Sequence, residues 1–366
     1  MKIRAAITAS KGAPFIIEEL ELDEPLAGEI VVRMVAAGIC HSDLSARDQY
    51  APFPLPIVLG HEGAGIVEKI GAGVTKLAVG DHVVLSRMTC GICPDCLNGR
   101  SNFCAGSGPL NSSGCRHDGT TGLSRNGEPI YAQFFGQSSF STYALAHERN
   151  ATKLDPGFDL TLAPVFACGV LTGAGAVLNG LRPEAGTSIV VFGAGTVGLA
   201  AILAARLSGC ATIIVVDRIE ERLVLAEELG ATHSILAGEG LSAADVHAIV
   251  PGGAEFAIEA TGNAAISRIA VESLRSGGHC GLLGVGPSLQ DISFNHMQIA
   301  LLGVSISGFP TGLSEPDVII PRLIQLYQQG RFPVDRLIKT YPFDDIEVAM
   351  GDVANGRTVK PVLLFP

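Results

Sequence analysis

The stretch from Ser188 to Leu207 constrains the fold more than any other part of the chain. An apolar run, Ile189-Val190-Val191-Phe192, enters Gly193-Ala194-Gly195-Thr196-Val197-Gly198, and Val197 to Leu207 then reads as a helix. A G-x-G-x-x-G pattern alone says little in a chain with 45 glycines. Here it follows a strand and opens a helix, and a second strand, Ile213 to Val216, ends at Asp217, 19 residues beyond Gly198. That is the layout of a dinucleotide-binding unit. Gly193 permits the tight turn, Gly195 lets the backbone approach a pyrophosphate, and Gly198 lets helix pack on strand. The pyrophosphate meets the helix N-terminus, where Thr196 and Val197 stand, and its partial positive charge. Asp217 would accept hydrogen bonds from both ribose hydroxyls and repel a 2′-phosphate, which favours NAD over NADP. Arg218 follows directly and either softens that choice or is a solvated surface cation.

The alternation continues. Strands over Thr212 to Val216, Phe256 to Ile258 and Cys280 to Leu283 interleave with helical stretches such as Glu220 to Leu229, which predicts an α/β, doubly wound parallel sheet. Residues 1 to about 150 read differently, as short β runs (Ile30 to Met34, Gly65 to Ile70, His82 to Leu85) punctuated by Gly, Pro and Asp. The tail from Glu315 adds an amphipathic helix, Asp317 to Gln329, and a last apolar strand, Val359 to Phe365. At 366 residues two domains are the natural expectation.

Composition narrows the classes. With 47% hydrophobic and 17% charged residues the chain has too much core material to be disordered. A net charge of −11 gives nucleic-acid binding no electrostatic support. The uncharged stretches Leu160 to Leu181 and Ala185 to Ala205 are long enough to raise a membrane question, but several glycines break each one, and buried strand–helix units have the same apolar density. Met1 to Arg33 has no basic segment followed by an apolar run of signal-peptide length. A cytoplasmic protein bound to no membrane is the expectation.

Two groups of residues suggest metal. Cys90, Cys93, Cys96 and Cys104 form C-x-x-C-x-x-C-x(7)-C. A tight loop with that spacing can turn its thiolates inward as a closed tetrahedron, which suits a structural zinc, and an iron–sulfur cluster fits as well. The second group is dispersed: Cys40 in Gly38-Ile39-Cys40-His41-Ser42-Asp43, then Gly60-His61-Glu62-Gly63, then Ala167-Cys168-Gly169. Thiolate, imidazole and carboxylate all ligate zinc, and three protein ligands plus water or substrate make a catalytic site. Singly, a Cys or His beside glycine is more often structural.

The pattern Gly60-His61-Glu62-x-x-Gly65-x(5)-Gly71-x-x-Val74 resembles the signature of the zinc-containing alcohol dehydrogenases of the medium-chain dehydrogenase/reductase family. The four-cysteine loop, Gly80-Asp81-His82-Val83 and the Gly-rich loop occur in that family's order, so the resemblance spans nearly the whole chain. It implies a GroES-like catalytic domain from residues 1–170 and 309–366, carrying a structural-zinc loop at 90–104, and a Rossmann NAD-binding domain over 171–308. It implies two zinc ions per subunit, with Cys40, His61 and Cys168 as catalytic ligands and Glu62 as a neighbouring carboxylate able to ligate. Asp43 would orient His61, or it is a turn residue. Ser42 would accept the alcohol proton, or it is a local backbone cap. Thr172, Gly284 and Val285 would line the nicotinamide, Arg222 would flank the adenosine, and Lys360 would reach the pyrophosphate. Two positions depart from the liver-type pattern. His41 stands where an Arg often grips the pyrophosphate, so contact there depends on the charge of the imidazole. Ser45 replaces a His that often ends the proton relay, which leaves the exit of the proton open.

The implied activity is NAD-dependent oxidation of an alcohol to an aldehyde, and the reverse. Asp118 to Gly122 and Phe134 to Ala144 are similar to the aryl-alcohol (benzyl-alcohol) branch, which points to primary aromatic or allylic alcohols. A glutathione-dependent formaldehyde dehydrogenase is the next reading, since Leu59 to Glu68 resembles that branch, although Ala51 stands where its glutathione-binding acid is expected. A general primary or secondary alcohol dehydrogenase, or a zinc-stabilised nucleotide-binding protein without redox activity, completes the alternatives. The apolar run Leu301 to Gly308 is expected as a sheet-edge strand that pairs with another subunit, giving a homodimer or homotetramer.

Overall fold

The computed structural model describes residues 1–50, 52–286 and 291–366. The chain divides into two compact units. One takes in Met1–Cys168, Glu315–Ile324 and Asp335–Pro366, and the other Gly169–Ser314 and Gln325–Val334. Ala51 lies outside the described residues.

The second unit is built on a six-stranded, all-parallel sheet. Its strands run His233–Leu236, Thr212–Asp217, Ser188–Phe192, Ala254–Glu259, Leu274–Leu282 and Ser305–Gly308 across the sheet, which is the 3-2-1-4-5-6 order of a dinucleotide-binding fold. All five residues of Ser188–Phe192 are buried, as a parallel strand covered on both faces requires. The helix Thr196–Ser208 buries Gly198 through Ala205 and ends at Gly209, whose φ of +81° supplies the left-handed cap. The expected strand Leu301 to Gly308 is corrected in part. Leu301 and Leu302 end the helix His296–Leu302, Gly303 stops it at φ +64°, and only Ser305–Gly308 pairs, at the edge of the sheet. Among the described residues no helix is long and apolar enough to cross a membrane. The two uncharged stretches fold instead as short helical pieces at 163–181 and as the Ser188–Phe192 strand with its following helix.

The first unit is β-rich, with a five-stranded and a seven-stranded sheet. Its longest strand, Glu29–Gly38, pairs antiparallel with Gly63–Ile70, Tyr143–His147 and Lys360–Leu364. That pairing sets the end of the 29–38 strand, the His61–Glu62 turn and Lys360 side by side. A core of Phe15, Phe134, Phe140, Leu59 and their neighbours fills the space behind them, with Phe15 and Phe140 in an edge-to-face pair at 5.9 Å. Each such fully buried side chain contributes roughly 1.5–3 kcal/mol. That is enough to offset the ~1–3 kcal/mol cost of each left-handed residue in the adjoining 133–138 segment.

Candidate active site

Cys40 lies at the N-terminal end of the helix His41–Arg47, His61 and Glu62 lead into the strand Gly63–Ile70, and Cys168 follows the short turn Ala163–Phe166. The fold brings one ligand atom from each of Cys40, His61, Glu62 and Cys168 within 4.8 Å of one another. His61 and Glu62 are fully buried, and the two cysteines half-buried.

Asp43 fills both of its expected roles. Its carboxylate meets the His61 Nδ1 at 3.1 Å while accepting the backbone N–H groups of Cys40 (2.8 Å) and Gly60 (3.1 Å). It therefore ties two ligand-bearing segments together and fixes the imidazole tautomer. With Nδ1–H donating to Asp43, the Nε2 lone pair faces the cluster, and Nε2 is buried without a hydrogen-bond partner. The Glu62 Oε1 is orphaned in the same way. Buried polar atoms normally find partners. These two belong to a set of two sulfurs, an imidazole and a carboxylate, the donor set of an open zinc site, so the residues fit that ion.

The protonation of the cluster reflects crowding. The Cys168 thiol donating to Cys40, together with His61, holds the Cys40 thiol well below its ordinary range, while Cys168 keeps the shared proton and is pushed well above it. Burial works against a charged His61, yet Asp43 and Cys40 beside it raise its pKa. Burial pushes the Glu62 carboxyl up to about 7 against the pull of Lys360.

Lys360, expected to reach a coenzyme pyrophosphate, is 1% exposed, ion-paired with Glu62 and donating to the Ile39 carbonyl at 3.2 Å. The Lys360–Leu364 strand lies beside Glu29–Gly38 and places the side chain inward, where the buried Glu62 carboxylate, with Cys40 nearby, balances its charge. Gly38 makes this possible, because a Cβ there would collide with the Glu62 carboxylate.

Ser42 is half-buried, with its Oγ 3.9 Å from the Cys40 Sγ, and His41 is exposed. In the second unit, Gly193 turns at φ +96°, and a side chain at Gly198 would run into the Gly193 carbonyl, while nothing lies within 4 Å of a Cβ at Gly195. The Asp217 carboxylate ends its strand held by the N–H groups of Ala194 (2.6 Å) and Ile219 (2.9 Å). Thr172, Gly284 and Arg222 are half-buried, Arg222 with a buried and unpartnered Nε, and Val285 is exposed.

The other cysteine group is local. Cys90, Cys93, Cys96 and Cys104 bring their sulfurs within 4.8 Å, around the short helix Pro94–Leu97. The Cys90 N–H points to the Cys104 sulfur (3.2 Å) and the Cys93 N–H to the Cys90 sulfur (3.3 Å). Backbone donors at Ile92 and Cys93 lower Cys90 to about 6, and burial with Cys93 pushes Cys96 to about 12. Four sulfurs in a closed shell suit a structural zinc.

Residues 26–156 match the alcohol dehydrogenase GroES-like domain, and residues 196–328 match the zinc-binding dehydrogenase domain. A geraniol dehydrogenase from Castellaniella defragrans is 38% identical over 364 residues, 99% of this chain and 97% of the relative. This chain belongs to the zinc-dependent alcohol dehydrogenases. Among solved members, the benzyl alcohol dehydrogenase of Acinetobacter calcoaceticus superposes with a TM-score of 0.96 at 42% identity over the full length of both chains. An alcohol dehydrogenase zinc-binding domain protein from Burkholderia ambifaria gives 0.97 at 45%, covering 100% of this chain and 99% of the other. As in that family generally, the chemistry is oxidoreduction at a CH–OH group. Sequence reasoning finds every member of the two sulfur-rich groups but misses the Glu62–Lys360 pair and the aromatic rings around His61. For Phe134 and Phe135 the signal is present, in the stretch that resembles aryl-alcohol enzymes.

Proposed function

We propose that this chain is an NAD-dependent alcohol dehydrogenase that oxidises primary aromatic or allylic alcohols to aldehydes and runs the reverse reaction. The observation that carries this reading is the meeting of Cys40, His61, Glu62 and Cys168 around the unpartnered His61 Nε2. The benzyl-alcohol and geraniol relatives support the substrate class. Cys40, His61 and Cys168, with Glu62 within reach, would hold a catalytic zinc, and Cys90, Cys93, Cys96 and Cys104 a structural one. When bound, the zinc supplies a Lewis acid for the substrate oxygen and the nicotinamide an acceptor for hydride.

The chain's own residues do the rest. Asp43 orients the His61 imidazole and clamps the Cys40 and Gly60 backbones, so the ligand set is arranged before substrate arrives. Ser42 Oγ, beside Cys40, takes the proton of the substrate hydroxyl and passes it outward. Gly195 leaves open the approach to the helix N-terminus at Thr196 and Val197, where a pyrophosphate would sit. Asp217 would accept the ribose hydroxyls, with Arg222 beside the adenosine and Thr172, Gly284 and Val285 at the nicotinamide. His41 would reach the pyrophosphate only when charged. The exposed edge strand Ser305–Gly308 suits pairing with a second copy, in a homodimer or homotetramer acting in the cytoplasm, where its free cysteines stay reduced.

The test is reduced-nicotinamide formation by the purified protein with benzyl and allylic alcohols, ethanol, a secondary alcohol and S-hydroxymethylglutathione, each with NAD and NADP, alongside elemental analysis. Two zinc ions per subunit and a preference for benzyl or allylic alcohols with NAD are expected. A preference for the glutathione adduct would replace the substrate class, and iron in place of zinc would overturn the metal assignment. Asp217→Ser should shift the coenzyme preference toward NADP at least tenfold, about 1.4 kcal/mol.

A further inference from the structure

We propose that the segment Gln133–Ser138 is a positioning element for His61, with Phe135 holding the plane of its imidazole and Gln137 holding its main chain. This rests on the zinc site put forward above and deepens it.

The segment's backbone is the first sign. Gln133 (φ +63°), Phe135 (+52°), Gly136 (+71°) and Ser138 (+52°) are left-handed within six residues. For a bulky residue such as Phe that conformation is a genuine outlier, and such strain persists only where surrounding contacts enforce it. Here they do. Ser138 Oγ donates to the Val58 carbonyl (2.6 Å) and accepts the Phe134 N–H (2.9 Å), and Asn150 Nδ2 donates to the Gly136 carbonyl (3.0 Å).

The strained path delivers three contacts to one histidine. The Phe135 ring stacks on the His61 imidazole, with centroids 4.6 Å apart and planes 28° from parallel. Phe134 meets the imidazole edge-to-face at 5.4 Å and 81°, and is itself wedged by Phe53 at 5.0 Å. Gln137, 1% exposed, donates through Nε2 to the carbonyls of His61 (2.9 Å) and Ser86 (3.0 Å) and accepts the Gly63 N–H at Oε1 (3.0 Å). The residues on either side of Glu62 are thus gripped by a single side chain.

Geometry explains why all this is needed. The hydrogen bond from Nδ1 to Asp43 fixes one point of the ring. A ring pinned at one point can still tilt about it, which swings the Nε2 lone pair away from the cluster. A stacked aromatic face fixes the plane. Point and plane together determine the direction of the lone pair, and Gln137 keeps the Cα from which the ring hangs from drifting.

The test uses the full-length protein with cobalt in place of zinc, measuring its visible absorption and the rate at which a chelator removes metal from each site. Phe135→Leu should change the spectrum of the metal held by Cys40, His61 and Cys168 and release it about tenfold faster, the low end of what loss of a ligand-orienting partner costs. Metal release from the four-cysteine loop should stay unchanged, and Phe135→Tyr should restore the wild-type rate and spectrum. Phe135→Gly, which accepts the left-handed backbone without strain, is the second variant and should loosen the same metal even though its backbone is relaxed. A rate within twofold of wild type and an unaltered spectrum in a folded variant would overturn the proposal. Equal loosening of both metals would also overturn it, since that marks general destabilisation. Failure of the wild-type chain to hold metal at Cys40, His61 and Cys168 is a different result and would refute the underlying zinc reading.

Discussion

The two sulfur-rich clusters of this dehydrogenase are built in opposite ways. The first draws all its ligands from Cys90 to Cys104, on a loop whose only regular pieces are the turn-length helix Pro94–Leu97 and the 3-10 turn Ser101–Phe103. Three of its four cysteines are half-exposed, and their nearest hydrogen-bond partners are backbone N–H groups of the same loop. The second draws from positions 40, 61, 62 and 168, and its His61–Glu62 segment is held from elsewhere in the chain: Asp43 on His61, Lys360 on Glu62, Phe135 and Gln137 on the histidine ring and backbone. A local loop has little apolar surface with which to hold itself, so an ion bound there would brace it. The dispersed site is held by the packed fold, which would leave an ion bound there free to serve chemistry.

The sharpest test of that contrast removes one ligand from each cluster. Cys93→Ser should cost folding, because structural zinc binding is folding free energy. A loss of about 4 kcal/mol or more would lower the melting midpoint by roughly 10 °C, or the protein would be recovered insoluble. Cys168→Ser should leave the midpoint within a few degrees and lower kcat/KM by a factor on the order of 10³, since it removes a proposed ligand of the catalytic metal. Calorimetry and steady-state kinetics on both variants decide the matter, and a Cys93→Ser protein as stable as wild type would erase the distinction.

A smaller effect is expected at the buried ion pair. Lys360→Met strands the Glu62 carboxylate in the interior and should destabilise the metal-free protein by about 3 kcal/mol. The double variant Glu62→Gln with Lys360→Met should recover most of that loss in denaturant melts, because it removes both charges. No recovery would mean that Lys360 matters through some other contact.

The smallest effect is one of reactivity. In metal-free protein that retains its fold, Cys90 should react with thiol reagents as a thiolate at pH 7. Its pKa is lowered to about 6, so the reactive form is present above that value and is lost as pH falls through it, slowing labelling about tenfold between pH 7 and pH 5. Cys168, pushed the other way, should stay unreactive until pH rises past the ordinary thiol range. Peptide mapping of the labelled protein resolves the two, and equal rates at pH 7 would contradict the difference in environment.

Much of this architecture is legible in the order of the residues. The Gly193–Gly198 loop with Asp217 at the end of the next strand folds as its pattern predicts, because a turn and a helix start are set by residues within hydrogen-bonding distance along the chain. The expected strand at 301–308 is too long, because Leu301 and Leu302 are equally apolar in a helix or a strand and only Gly303 marks the break. The Glu62 partner of Lys360 was not legible, for a deeper reason. A lysine near a chain end is nearly always solvated, and nothing in its neighbours announces a buried carboxylate 298 positions away.

What the sequence determined by itself is therefore whatever short-range spacing can encode: a four-cysteine loop, a phosphate-binding turn, the kinds of ligand gathered at Cys40, His61, Glu62 and Cys168, and the family to which they belong. What only the tertiary structure decided is how those ligands are held. The inward turn of Lys360 depends on a strand that pairs across hundreds of residues, and the double use of Asp43 and the stacked Phe135 depend on segments that meet only in the folded core. Spacing along a chain limits which atoms can meet locally. Only the packing of a whole core determines which distant side chains are buried against each other, and so which charges must pair and which rings must stack.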